Sequence, residues 1–384
     1  MPGITTAASK VSNELLWIAI KLNIFYLFCI ALKSPKKILK SWSFMMNIRN
    51  NLWGGNMKKI HRVGNSYYSN MYSPPWPSAS YDEYVKCEIK RYNEPLSLKP
   101  QLSFVFLAIT RKCPLRCEHC FEANNLNSKE TFTKNELLKT VQILQREGVL
   151  QFHFSGGEPL VRIKDLLDLI KYASRKSSCW VATSGFNLTP ENALALKYAG
   201  CKGVIISIDH YIPELHNNFR HHPDSFRQAV EGVEAAKTAG LAVCLSVCTT
   251  KHFLDSNSLV PYMHFAKKLG VHFVQALEPK NVGNYNGKDV LLHESHIKHL
   301  EQIFLKMNYS AMYKDYPTML YHGYHQNRIG CFAGSRSIYI DSIGDVHACP
   351  FCHTKSYNIL DLIRNHNYTL PQKENACPRY KSVV

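Results

Sequence analysis

Three cysteines lie within eight residues of this 384-residue chain, where the stretch CPLRCEHC carries Cys113, Cys117 and Cys120. Pro114 disfavours a helix at this point, so the segment can form a loop around a bound group. A closed zinc site takes four ligands, whereas a [4Fe–4S] cluster held by three cysteines leaves one iron open to a substrate or cofactor. The spacing therefore favours an iron–sulfur cluster. The alternatives are coincidence and a zinc site with a distant fourth ligand.

A second group of cysteines near the C-terminus also favours metal binding over a disulfide framework. The chain has 13 cysteines, an odd number, and the close spacing within both groups suits chelation better than pairing across a fold. This pattern predicts a reducing compartment. The second group consists of Cys331, Cys349, Cys352 and Cys377.

Alternating strand-like and helix-like segments predict the scaffold that positions the first group. The pattern begins at Leu102 with LSFVFLAIT, which is apolar on both faces like a buried parallel strand, and ends near Leu277 after six strand–helix units. Thr133 and Glu136 form a capping-box pattern at the start of the first helix. The period predicts a parallel α/β sheet, either doubly wound or a partial barrel. The loops at the carboxyl ends of its strands should carry the chemistry.

The C-x3-C-x2-C triad, with Phe121 after it and a buried strand before it, resembles the radical S-adenosylmethionine (radical SAM) superfamily. The resemblance covers residues 100–280 and reaches into the C-terminal region. It implies a partial (β/α)6 barrel and a [4Fe–4S] cluster whose open iron binds S-adenosylmethionine (SAM). It also implies reductive cleavage of SAM to a 5′-deoxyadenosyl radical that abstracts hydrogen from a substrate. The electron would come from a reductant such as flavodoxin or ferredoxin.

Further motifs at the predicted strand ends match this family's cofactor-binding residues. SGGEP after the second strand is similar to the motif that contacts the methionyl amino group, because glycines permit close backbone approach and the acid accepts from an ammonium. TSG after the third strand and SID after the fourth are similar to the family's cofactor-facing turns, and a later arginine resembles the one that pairs with the carboxylate. The implied cofactor-binding residues are Phe121, Gly156, Gly157, Glu158, Ser184, Ser207, Asp209 and Arg220.

The C-terminal cysteines resemble the SPASM or twitch modules that carry auxiliary clusters in many radical SAM enzymes. Cys331 is followed by SIYIDSIGDVHA, which predicts a β-hairpin turning at residues 342–344, and then by Cys349. Four cysteines suffice for one cluster, and their spacing after Cys349 departs from the family pattern. The module is therefore predicted to hold one auxiliary iron–sulfur cluster, with a structural zinc site as the alternative.

Composition predicts five regions along the chain. They are an apolar and basic N-terminal segment that extends the fold as helix (1–54), an irregular lead-in (55–100), the radical SAM core (101–280), a connector (281–330) and the auxiliary module (331–384).

The N-terminal segment predicts contact with a membrane. Residues 15–32 are mostly apolar and carry a single charge, Lys21. Residues 1–62 contain ten Lys and Arg against one acid, so they hold +9 of the net charge of +17. Lysines next to an apolar segment are attracted to anionic lipid and stay on the cytoplasmic side. We expect a cytoplasmic enzyme attached to the cytoplasmic face of the membrane. A helix packed on the protein's own body is the alternative, and a start at Met45, Met46 or Met57 would remove most of the segment.

The substrate class stays open at the level of the sequence. One hypothesis is a ribosomally made peptide or protein, and another is a lipid or membrane-bound precursor. A third is a non-catalytic iron–sulfur or zinc protein that senses redox state, but a sensor has no use for the cofactor-binding motifs. The basic charge lies in the apolar head, so nucleic acid is not an expected partner.

Overall fold

The computed structural model of the chain describes residues 10–52, 59–93, 102–352 and 355–365. Its helices are α1 (Lys10–Leu32), α2 (Pro35–Leu52), α3 (Ala79–Asn93), α4 (Lys134–Arg146), α5 (Ile163–Ala173), α6 (Pro190–Ala199), α7 (Pro213–Arg220), α8 (Ser225–Thr238), α9 (Lys251–Asp255), α10 (Leu259–Lys268), α11 (Glu294–Tyr309), α12 (His322–Ile329) and α13 (Ile359–Arg364). Its strands are β1 (His61–Val63), β2 (Ser66–Tyr68), β3 (Phe104–Ala108), β4 (Gln151–Ser155), β5 (Ser178–Thr183), β6 (Gly203–Ser207), β7 (Ala242–Cys248), β8 (Phe273–Leu277), β9 (Thr318–Tyr321), β10 (Ser337–Ile340), β11 (Asp345–His347) and β12 (Tyr357–Asn358).

One sheet of the described chain runs in the order β12–β11–β10–β3–β4–β5–β6–β7–β8–β9. The strands from β10 to β9 pair in parallel, and β10, β11 and β12 pair antiparallel at one end. Because β12 and β9 lie at opposite edges, the sheet is open, and the predicted partial α/β barrel is confirmed. The six predicted strands are β3 to β8. The structure adds β9 from the predicted connector and β10 from the predicted auxiliary module.

The sequence patterns that predicted these elements have clear physical counterparts. Strands β4 and β7 are buried along their whole length, as expected for parallel strands covered on both faces. The capping box of α4 is present, since the Thr133 hydroxyl accepts from the Glu136 amide at 3.2 Å and the Glu136 carboxylate accepts from the Thr133 amide at 2.9 Å. The hairpin predicted around residues 342–344 is formed by β10 and β11.

The lead-in is more regular than predicted and fills the inside of the barrel. It contains the β1–β2 hairpin and α3, and Tyr68 and Met71 pack against Trp180 and Phe273 in a buried cluster. The Tyr72 ring stacks on His153 of β4 with 5.8 Å between ring centroids. The segment therefore closes one end of the barrel and leaves the carboxyl ends of the strands open for a site.

Lys59 anchors the start of the lead-in to the segments that precede β9. Its buried ammonium donates to the carbonyl oxygens of Met307 at 2.7 Å and Tyr316 at 3.1 Å. Burial, opposed in part by Asp315, lowers the pKa of Lys59 to about 8. We expect Lys59→Met to lower the free energy of unfolding by about 2–4 kcal/mol, because buried carbonyls lose their donor. Denaturant unfolding of the apoprotein measures this loss. A cost no larger than that of Lys164→Met, at an exposed position, would contradict the anchoring role.

Candidate active site

The loop that carries Cys113, Cys117 and Cys120 follows β3 and is held on two sides by amide side chains. Asn127 accepts from the Cys113 amide and donates to the Cys113 carbonyl, both at 3.0 Å. Asn284 donates through its side chain to the Cys117 carbonyl at 2.9 Å and through its backbone to the Cys120 carbonyl at 3.0 Å. These contacts fix the backbone of all three cysteines before any ligand binds.

The three thiols are close enough to influence one another. Burial, with smaller contributions from Cys117 and Cys120, raises the pKa of Cys113 to about 12. Burial, followed by Cys117, likewise raises the pKa of Cys120 to about 12. In the described residues, no group of three or more Cys, His, Asp or Glu side chains is already arranged to hold a metal ion. The thiols nevertheless fit an iron–sulfur cluster by donor type and number, and binding it must displace their protons.

Asp209 and Arg220 form a buried ion pair that reaches the cysteine loop. Two nitrogens of the Arg220 guanidinium donate to one carboxylate oxygen of Asp209, Nε at 2.6 Å and Nη2 at 2.5 Å. The third nitrogen, Nη1, donates to Cys117 Sγ at 3.3 Å. The other Asp209 oxygen accepts from the Cys248 amide at 2.9 Å. Burial is the largest single influence and opposes ionisation of Asp209, but Arg220, His119, His216 and the Cys248 amide together hold the pKa of Asp209 below its ordinary value.

Glu158 ties the ends of β4 and β5 together. One of its oxygens accepts from the Thr183 hydroxyl at 2.7 Å and the Leu160 amide at 3.1 Å, and the other accepts from the Ser184 amide at 2.8 Å and hydroxyl at 2.6 Å. Burial raises the pKa of Glu158, and these hydrogen bonds offset only part of the rise. A carboxylate offers about four acceptor positions, so these four donors occupy the acceptor capacity that an ammonium would need.

Gly157 allows the end of β4 to pack directly on the cysteine loop. A Cβ at this position would collide with the Lys112 carbonyl oxygen and approach Cys113. The Gly157 amide also donates to the Thr110 carbonyl at 2.8 Å. The glycines of SGGEP thus serve close backbone approach, here between two segments of the protein.

A cavity of about 520 Å³ lies at the carboxyl ends of the strands. Four of the predicted cofactor-binding residues line it: Phe121, Ser207, Asp209 and Arg220. Gly156, Gly157, Glu158 and Ser184 are not among the residues that line it. Cys331 and Cys349 also line it, and His119 and Phe121 bring the triad loop to its wall, whereas Cys113, Cys117 and Cys120 are not among its lining residues.

Residues 107–256 match the family model described as the radical SAM superfamily. The chain carries a radical SAM domain. This family implies a [4Fe–4S] cluster and SAM as cofactors.

The chain is 31% identical over 164 residues to an AdoMet-dependent heme synthase from Oleidesulfovibrio alaskensis, a match that covers 41% of this chain and 42% of the synthase. It is 28% identical over 181 residues to a GTP 3′,8-cyclase from Petrotoga mobilis, covering 45% and 55%. The chain thus spans about half the length of these relatives, or less.

Solved structures share the fold of the radical SAM domain and its extensions. Streptococcus suis SuiB bound to precursor peptide SuiA aligns with a TM-score of 0.58 at 13% identity, covering 91% of this chain and 81% of SuiB. Native anSMEcpe with bound AdoMet aligns with a TM-score of 0.53 at 18% identity, covering 71% and 82%. The SuiB alignment extends well beyond the residues matched by the family model.

The C-terminal region is joined to the radical SAM domain through Glu122, a residue that the sequence analysis missed. The Glu122 carboxylate accepts from the Tyr339 hydroxyl at 2.5 Å and the Ser342 hydroxyl at 2.9 Å. Glu122 lies two residues after Cys120, so this contact connects the cysteine loop to the β10–β11 hairpin. Its proximity to the triad is visible in the sequence, but its partners lie more than 200 residues away.

Two of the four predicted auxiliary ligands, Cys331 and Cys349, line the cavity. The Cys331 Sγ accepts from the Gln326 side chain and the Ala333 amide, both at 3.5 Å. Cys349 and Cys352 face each other across an isolated antiparallel bridge. Cys377 lies outside the described residues, so the complete set of four stays a prediction.

Proposed function

We propose that this protein is a radical SAM enzyme that abstracts hydrogen from a substrate held in the 520 Å³ cavity. The observation that carries the proposal is that the triad loop, the Asp209–Arg220 pair and Cys331 all border this one cavity. When bound, the cluster and SAM would supply a 5′-deoxyadenosyl radical, which takes a hydrogen atom from the substrate and leaves as 5′-deoxyadenosine. The electron would come from a protein such as flavodoxin or ferredoxin.

The chain's own residues would prepare the site for this chemistry. Cys113, Cys117 and Cys120 would hold the cluster, and their backbone is fixed in advance by Asn127 and Asn284. A preorganised loop loses little further freedom when the cluster binds, which favours binding.

The Asp209–Arg220 pair would position SAM beside the triad. Both residues line the cavity, and Arg220 keeps further N–H donors beyond the three that contact Asp209 and Cys117. Aromatic side chains on the cavity wall, including Phe106, Phe121 and Phe351, would exclude water from a reactive radical.

An electron spin resonance experiment tests the cofactor site. The reduced, anaerobically reconstituted protein should give a [4Fe–4S] signal that changes when SAM is added, because SAM would bind the open iron. A signal that does not change at saturating SAM would contradict the proposed site.

We propose a peptide or protein as the substrate, which the precursor peptide in the SuiB complex supports through the shared fold. A lipid is the second candidate, favoured by exposed apolar side chains on α1. Deuterium transfer separates the two. The enzyme is incubated with SAM and either the peptide fraction of cells grown on deuterated amino acids or the lipid fraction of cells grown on deuterated fatty acids. Deuterium in 5′-deoxyadenosine identifies the class, and label from the lipid fraction alone would refute the peptide proposal.

We also propose that Cys331, Cys349, Cys352 and Cys377 hold an auxiliary iron–sulfur cluster in a SPASM-like or twitch-like module. Because Cys331 and Cys349 line the cavity, the cluster would be able to bind the substrate or accept an electron from it. Iron and zinc analysis of anaerobic protein with all three triad cysteines replaced by Ala measures the auxiliary metal alone. We expect iron and sulfide to remain in this variant. One zinc per chain without iron would show that the module is a zinc site.

A further inference from the structure

Helix α1 has two apolar faces, and they differ in their surroundings. On the inner face, Leu27 and Phe28 are buried and pack in one cluster with Val85 and Ile89 of α3. Asn23 accepts a hydrogen bond from the Trp76 indole at 3.1 Å. The inner face therefore holds α1 against the lead-in and α3.

The outer face of α1 exposes large apolar side chains in a continuous row. They recur at helical spacings of three and four residues, so they lie on one side of the helix. The relative solvent exposure of these residues ranges from 39% to 64%. This outer stripe consists of Leu15, Ile18, Leu22, Phe25, Tyr26 and Ile30. A contiguous exposed apolar row of this kind marks an interaction surface.

Exposed lysines lie on α1 and on the segment that follows it. One is on α1, one comes directly after α1 and three are on α2, and Glu14 is the one acid between residues 10 and 52. These basic residues are Lys21, Lys33, Lys36, Lys37 and Lys40. An exposed apolar stripe together with exposed lysines on α1 and α2 complements a lipid surface with anionic head groups.

We propose that the outer stripe and its lysines dock in the plane of an anionic bilayer, on its cytoplasmic face. Residues 14–32 are long and apolar enough to cross a membrane by length and composition. A spanning orientation, however, would separate Leu27 and Phe28 from α3 and expose Val85 and Ile89. Docking in the plane keeps this cluster intact and buries only the outer stripe.

The docked surface would lie beside the cavity. Tyr84 of α3 lines the cavity, and Glu88 of α3 accepts from Arg336, another lining residue, at 2.6 Å. Helix α2 packs against α12, whose His322 and His325 also line the cavity. The bilayer would therefore hold the cavity close to substrates present at the membrane surface.

Vesicle sedimentation of the full-length protein tests the proposal and needs no catalysis. We expect binding to vesicles of phosphatidylcholine with phosphatidylserine, and much weaker binding to phosphatidylcholine alone. Replacing Lys36, Lys37 and Lys40 together with Gln should weaken binding about a hundredfold, since each lysine near an anionic surface contributes about a factor of five. The control replaces three exposed lysines elsewhere, Lys164, Lys171 and Lys176, with Gln and should bind normally.

A second set of variants tests whether the outer stripe contributes to vesicle binding. Replacing Leu15, Leu22 and Tyr26 with Gln should abolish binding, whereas the same change at exposed Leu194, Tyr198 and Met312 should leave it unchanged. Unchanged thermal unfolding excludes misfolding of each variant.

Three outcomes would overturn the docking proposal. The first is equal binding to both vesicle types, or to neither. The second is retention of the protein in vesicles after an alkaline carbonate wash, which indicates a spanning helix. The third is a stable dimer that the outer-stripe variant converts to monomer, which assigns the stripe to a second copy of the chain.

Discussion

Replacing Cys117 with Ala is expected to abolish the formation of 5′-deoxyadenosine from SAM, and the same result is expected for Cys113→Ala and Cys120→Ala. The triad would supply all three protein ligands of the cluster that binds SAM, and two thiolates do not replace three. The rate should fall below detection. High-performance liquid chromatography of anaerobic reactions with dithionite and SAM measures the product.

Metal content separates this loss from misfolding. If both clusters are [4Fe–4S], each triad variant should keep about half of the iron, because the auxiliary module is unaffected. Cys29→Ala, at an exposed cysteine of α1, is the control and should keep full iron and full cleavage. Cleavage retained by any triad variant would contradict the assignment of that cysteine as a ligand.

Asp209→Asn should be the most destabilising single change at the site outside the triad. It leaves the Arg220 guanidinium buried without its counterion, and breaking a buried ion pair costs about 3–5 kcal/mol. Arg220→Met should cost a similar amount, because it leaves the Asp209 carboxylate buried alone. Denaturant unfolding of the apoproteins measures both losses.

The double variant Asp209→Asn/Arg220→Met distinguishes a structural role from a cofactor role. Removing both charges should recover most of the lost stability, since a neutral pair carries no unpaired charge. SAM cleavage should stay impaired, because the donors that would position SAM are gone. Full recovery of cleavage would make the pair purely structural. Single variants that each cost less than about 1 kcal/mol would contradict the buried pair itself.

The strands and the triad could be predicted from the sequence because their signals are local. The apolar run before Cys113 and the capping box at Thr133 each depend on residues within a few positions of one another. The β10–β11 hairpin is of the same kind, since its turn and both strands lie within 12 residues. These elements appear in the structure where the sequence placed them.

The contacts that shape the site could not be predicted, because they join distant segments. Arg220 reaches Cys117 across 103 residues, and Glu122 reaches Tyr339 across 217 residues. Glu158 was predicted to meet the cofactor's ammonium, and in the structure its acceptors are occupied by neighbouring residues. Such pairings depend on how the barrel closes around the lead-in, which no local pattern encodes.

The rate of 5′-deoxyadenosine formation tests the central claim most directly. The protein is reconstituted anaerobically with iron and sulfide, reduced with dithionite and supplied with SAM, and the product is quantified over time by mass spectrometry. We predict formation that requires protein, reductant and SAM together and that disappears when Cys113, Cys117 and Cys120 are replaced by Ala. No 5′-deoxyadenosine above the level of that variant, from protein with its full iron content, would contradict the proposed chemistry.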